Sequence, residues 1–131
     1  MIGSRTDAGD RGSAVVDFCL VMVLLIPLVL GVIQVGIVLH VRNTMTAAAS
    51  EGARRAATVD AGPAEGAAHT RRLISAAVSE RYATNVRASQ TLVDGYAGTV
   101  VTARARVPAL GLFGPSIAVD VEGHAVEEDL P

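Results

Sequence analysis

From Phe18 to Leu39 the chain reads FCLVMVLLIPLVLGVIQVGIVL, a run without a formal charge. At about 1.5 Å per residue, a helix of that length covers roughly 33 Å, the thickness of a bilayer's hydrocarbon core. Burying such a helix inside a soluble domain would require an apolar shell on every side. The rest of the chain is too polar for that, and aromatic residues make up 3% of the whole. The pattern predicts a membrane span. Pro27 and Gly31 fall inside it, and both are tolerated in membrane helices.

A secretory signal peptide is the competing interpretation, with Arg5 and Arg11 as its basic region and Ala47-Ala48-Ala49 as its cleavage site. The apolar run is longer than the about 7–15 residues of an ordinary signal core, and the alanines lie well past its end. A lipoprotein signal fits less well, because Cys19 stands at the start of the run and not at its end. Arg42, Arg54 and Arg55 after the span outnumber Arg5 and Arg11 before it, so the positive-inside rule does not choose an inward N-terminus, and something else must set the topology.

Beyond His40 the apolar residues thin to one face: Val41, Met45, Ala48 or Ala49, Gly52 and Ala56 recur every three to four positions. The period predicts one helix from about Ser13 to Ala57, with Pro27 as a point of kinking. Glu51 and Arg55 stand four apart on another face, an arrangement that supports a helix by a few tenths of a kcal/mol. Ala48, Gly52 and Ala56 form a stripe of small side chains that lets a second helix approach closely, either a later segment or a neighbouring subunit. Alanine is also simply a good helix former, and the stripe is open to that plainer explanation.

Ala61-Gly62-Pro63 ends this helix and starts another, with proline suited to a first turn. From Ala64 to about Ala83 the apolar positions Ala67, Ile74, Ala77, Val78 and Tyr82 oppose Arg71, Arg72 and Glu80, the pattern of an amphipathic helix on a core.

The period then changes to two. Val101, Ala103, Ala105 and Val107 alternate with Thr102, Arg104 and Arg106. Ile117, Val119, Val121 and Ala125 alternate with Asp120, Glu122 and His124. Setting Val107 opposite Ile117 sets Arg104 opposite Asp120 and puts both apolar sets on one side, which predicts an antiparallel hairpin. Ser89–Val93 adds a third, edge strand. Leu110, Leu112 and Phe113 in the connecting loop are available to cap the core or to meet a membrane or partner. The fold class is α+β: a long membrane-spanning helix running into a small domain with a second helix and a hairpin or three-stranded sheet.

Composition narrows the chemistry. The mean hydropathy of +0.43 reflects the concentrated apolar run. Eleven basic residues, all arginine, against 13 acidic ones give a net charge of −2, which argues against a nucleic-acid partner. The lone Cys19 forms no internal disulfide, and no Cys/His spacing suggests a metal site. His40, His69 and His124 lie in different elements, none beside a nucleophile or carboxylate in a recognisable catalytic motif, and no glycine-rich phosphate loop follows a strand. No catalytic residue, metal ligand or cofactor is expected, and the chain reads as a non-enzyme.

The segment ahead of the span, RGSAVVDF, carries an acid at the edge of a lipid-bound helix. Asp17 is accommodated there without a function, favoured by the helix dipole and able to reach the headgroups. Counting from Gly12 gives a sharper reading. A cut after Gly12 would make Ser13 a new ammonium terminus, with Asp17 at position five, one helical turn away, and Phe18 at six. Glycine before the cut suits a close-fitting protease cleft. Asp17 would then neutralise the new charge within its own chain or on a neighbouring copy.

Three stretches together resemble the TadE-like family of pseudopilins from tight-adherence (Tad/Flp) pilus systems. They are RGSAVVDFCLVMVLLIPLVLGVIQVG, the post-membrane segment VRNTMTAAASEGARRAA, and the C-terminal IAVDVEGHAVEED. The acid of the first is commonly Glu in that family; Asp17 is one methylene shorter. The resemblance implies a processing site at Gly12, Ser13, Asp17 and Phe18, read by a membrane aspartyl prepilin peptidase. It implies residues 1–12 as a cytoplasmic leader, 13–40 as the transmembrane helix, 41–60 as its extracytoplasmic continuation and 61–131 as a small α+β domain. It also implies a single-pass protein of the cytoplasmic membrane, N-terminus inside, whose partners are other pilin-like subunits and the Tad assembly platform. The expected role is a minor pilin or pseudopilin supporting pilus assembly; the alternative is a secreted or anchored extracytoplasmic binding module.

Overall fold

Helix α1 runs from Ala8 to Ala56, 49 residues or about 73 Å. It is part of a computed structural model that describes residues 8–110 and 114–127. Arg5, Leu112, Phe113, Glu128 and Asp129 lie outside the described residues. The helix begins five residues before the expected Ser13. Ala8 favours helix, and Asp10 in the first turn complements the positive end of the dipole. Pro27 lies within α1 without ending it.

The burial of α1 divides it in two. From Gly9 to Ile33 its residues are exposed almost throughout, with Val23 72% and Leu24 76% accessible. From Val41 onward one face is closed: Val41, Met45, Ala48, Ala49, Gly52, Ala53 and Ala56 are buried, with Val38 partly so. The three-to-four spacing of those residues puts them on a single stripe.

Helix α2, Pro63–Ala77, starts with proline in its first turn after an extended Gly62. It buries Gly66, Ala67, Thr70 and Ile74. The single amphipathic helix expected to reach Ala83 stops at Ala77, and Ala77 is exposed. Ser79 is extended and a short 3-10 turn follows over Glu80–Tyr82. Continued as a helix, the chain would carry Tyr82 roughly 80° round from Ile74. The break instead delivers Tyr82 and Ala83 into the core, 4% and 5% exposed. Arg71 holds the following chain by donating to the Val86 carbonyl at 2.8 Å.

Three antiparallel strands follow, β1 Asn85–Val93, β2 Tyr96–Val107 and β3 Ile117–Val126, with β2 in the centre. The β2–β3 register is the expected one: Val107 pairs with Ile117 and Arg104 with Asp120. The Arg104 Nε lies 3.3 Å from an Asp120 carboxylate oxygen. The edge strand β1 begins four residues before the expected Ser89 and joins β2 through Asp94-Gly95, at φ 52° and 87°. Positive φ at both residues suits the two-residue hairpin turn whose twist matches the strands. That dipeptide is itself a sequence signal for the hairpin, one that alternation alone passes over.

One face of the sheet carries Val86, Val101, Ala103, Ala105, Val107, Val119 and Val121 into a core shared with α1 and α2. The other face, with Arg87, Arg104, Arg106, Asp120 and Glu122, is exposed. Ile117 belongs to the inward set by register but lies at the end of the sheet, 39% exposed. The result is two layers, helices on one side of an antiparallel sheet, in which the second half of α1 is itself a core element.

Candidate functional site: the two halves of the long helix

Gly12, Ser13, Asp17 and Phe18 all lie on the exposed first half of α1. Ser13 and Asp17 are four apart and so share a face, next to Asp10 and Arg11. Phe18 is 62% exposed. At Gly12 an added Cβ would meet open space, so internal packing makes no demand for glycine there. The Gly12–Ser13 bond lies five residues into the described part of α1.

The stripe Ala48, Gly52 and Ala56 is buried against α2. Gly52 and Gly66 meet at the crossing: a Cβ on Gly52 would stand 2.7 Å from the Gly66 carbonyl oxygen, and one on Gly66 would stand 2.6 Å from that of Gly52. Thr70, fully buried, donates its hydroxyl to the Gly66 carbonyl at 2.9 Å and approaches that of Ala48 at 3.3 Å, bridging the helices. Gly123 of β3 lies directly on the α1 backbone at Ala49 and Ser50, which explains why the inward-facing apolar series of β3 has a gap there.

The expected Glu51–Arg55 pairing gives way to a tertiary one. Arg55 reaches Glu65 of α2 through both Nη2, at 2.8 Å, and Nε, at 2.9 Å. Glu51 is left to Arg54, at 3.9 Å. Packing of α2 brings Glu65 within reach, and the two short contacts it offers outweigh an exposed pair within one helix.

A contact not foreseen from sequence involves Gln34, the lone amide inside the apolar run. Its Oε1 accepts the Leu110 backbone N–H at 2.7 Å, and its Nε2 donates to the Pro108 carbonyl at 3.2 Å. The signal available in the sequence was Gln34 itself, since an amide in a lipid-facing run is costly unless it is bonded.

Among the described residues, no group of three or more His, Cys, Asp or Glu side chains is placed to hold a metal ion. His40 and His69 lie on α1 and α2, and His124 lies on β3, 3.5 Å from Glu122.

Helix α1 is long and apolar enough to cross a membrane, and its most apolar stretch is not buried within the chain. No curated protein and no solved structure matches the chain. A family model described as TadE-like protein matches residues 12–54, from the glycine ahead of the apolar run to the last turn of α1. That segment holds both the exposed half of α1 and most of its buried stripe. Over residues 12–54, about a third of its length, this chain is therefore similar to TadE-like proteins.

Proposed function

We propose that the protein is a membrane-anchored minor pilin or pseudopilin that supports assembly of a Tad (Flp-type) pilus or related secretion apparatus, and that its role is structural. The observation that carries this reading is the division of α1. One continuous helix is bare and apolar over its first half and a core element of a folded domain over its second. Such a part holds a domain rigidly at a membrane and presents the apolar half to lipid or to similar helices.

On this reading residues 13–40 lie in the cytoplasmic membrane and residues 41–131 lie outside the cytoplasm. The leader, residues 1–12, faces inward and is removed by a prepilin peptidase between Gly12 and Ser13. The open space around Gly12 is compatible with this, as it would be at Gly9, Gly31 or Gly36; the position is singled out by the spacing to Asp17 and Phe18. Removal frees the Ser13 ammonium one turn from Asp17, ready to pair with it or with Asp17 of an adjacent subunit. The partners are then pilin-like subunits and the assembly platform, brought together by helix packing.

A signal-peptide cut after Ala49 fits less well. It would strip Val41, Met45, Ala48 and Ala49 from the core, where each is at most 5% exposed.

Mass spectrometry of the protein from membranes tests the proposal. A mature terminus at Ser13 is the expected result. A terminus at Ser50, with the product free of the membrane, would instead establish the secreted module.

A further inference from the structure

The two hydrogen bonds of Gln34 locate the domain along the helix. They tie the chain leaving β2, at Pro108 and Leu110, to the level of residue 34, about 7 Å before the apolar run ends at Leu39. The start of β3 comes to the same level by a separate route. Gly123 lies on Ala49 and Ser50, and Ile117 is about 20 Å back along its strand. Gln34 is about 22 Å back along α1 from Ala49. Ile117 also pairs with Val107, so both ends of the β2–β3 connection lie near the level of Gln34.

Irregular backbone exposed to lipid is not accommodated in hydrocarbon, because its N–H and C=O groups find no partners there. A hydrocarbon boundary at Leu39 would sink Pro108–Leu110 by about 7 Å. A boundary at Gln34 leaves Ala14–Ile33 in the hydrocarbon, about 30 Å of helix, with Asp17 about 5 Å inside the inner boundary and within snorkelling reach of the headgroups. Val35, Ile37 and Leu39 then fall in the headgroup layer, which is about 5–7 Å deep on each side. Arg42 stands clear of it.

We propose that the outer hydrocarbon boundary crosses α1 at Gln34, and that Leu110, at the end of the chain leaving β2, and Ile117, at the start of β3, rest on the bilayer interface as a second lipid contact beside the helix. Leu110 is 42% exposed, Ile117 39%, and both are at the level the bonds define. The domain is thereby seated on the membrane surface by two elements. This inference rests on the reading of α1 as a membrane span.

The test uses the full chain with Cys19→Ser, in vesicles of phosphatidylethanolamine and phosphatidylglycerol. Single cysteines carrying a bimane label replace Leu24, Val32, Leu39, Val59 or Leu110, and lipids with brominated chains report depth by quenching. A label at 110 is expected to quench to a degree between those at 32 and 39, with 59 unquenched. Quenching at 110 as weak as at 59, or as strong as at 24, overturns the proposal while leaving the span intact. An unquenched label at 24 overturns the span itself. Gln34→Leu keeps the run apolar and removes both bonds; the label at 110 should then lose most of its quenching while that at 24 keeps its own. An unchanged signal at 110 would show that the amide does not seat the domain.

Discussion

Gly52 and Gly66 stand backbone to backbone where α1 crosses α2, each so close to the other's carbonyl oxygen that neither position has room for a methyl group. The two helices can approach to this distance because both side chains are hydrogen atoms. Gly52→Ala or Gly66→Ala forces the helices apart and is expected to destabilise the domain by about 1–3 kcal/mol. In a helix, alanine should otherwise gain up to about 1 kcal/mol over glycine. Gly36→Ala, where a Cβ meets open space, provides the control and should lose nothing. Thermal unfolding of the three variants in detergent, followed by circular dichroism, separates them.

Gly123→Ala addresses the other close approach. Its Cβ would run into main chain of α1, and β3 is held in place by pairing with β2. A loss of about 3 kcal/mol, or failure to fold, is expected from such overpacking. A variant as stable as the parent would mean that α1 and the sheet are not packed this closely.

Thr99 is fully buried in the central strand, and its hydroxyl has no hydrogen-bond partner among the described residues. Thr99→Val keeps the shape and removes the unpaired group, so stability should rise by about 1 kcal/mol. A fall in the unfolding midpoint would reveal a partner that the hydroxyl serves.

The Arg104–Asp120 pair lies on the open face of the sheet, with side chains 70% and 64% exposed. Asp120→Ala should cost no more than about 0.5 kcal/mol, an effect that fades in high salt. Ile74→Ala empties a fully buried position in α2 and should cost about 2–5 kcal/mol. Urea titration of both variants tests whether the apolar face, and not the ion pair, holds the fold.

Asp17→Asn removes the carboxylate proposed to meet the Ser13 ammonium but leaves the domain's core untouched. Pilus production should fall, with the unfolding midpoint unchanged; a lost pairing of about 1.4 kcal/mol would weaken subunit association roughly tenfold. Asp17→Glu should restore production. Normal pilus output from the asparagine variant would remove the acid from the mechanism.

Features governed by a local period are legible in the chain itself. The buried stripe of α1 follows from its 3.6-residue repeat, and the β2–β3 register follows from parity together with the Arg104–Asp120 match. A one-residue slip would turn Val119 and Val121 to solvent, so the alternation allows few alternatives. The apolar run stands out for a simpler reason, its length against the thickness of a bilayer.

Contacts between segments distant in sequence are not legible in this way. Arg55 has a carboxylate four residues away, yet Glu65 takes it, because packing of α2 delivers a partner that the α1 sequence does not specify. Helix α2 ends at Ala77 because Tyr82 has to enter the core, a demand set by the sheet beneath it. Gln34 is an isolated amide in an apolar helix until the chain after β2 comes round to bond it. Periodicity records which face of an element is buried; the partner across that face, and the level along the helix at which it docks, depend on distances that arise only when all the elements are packed together.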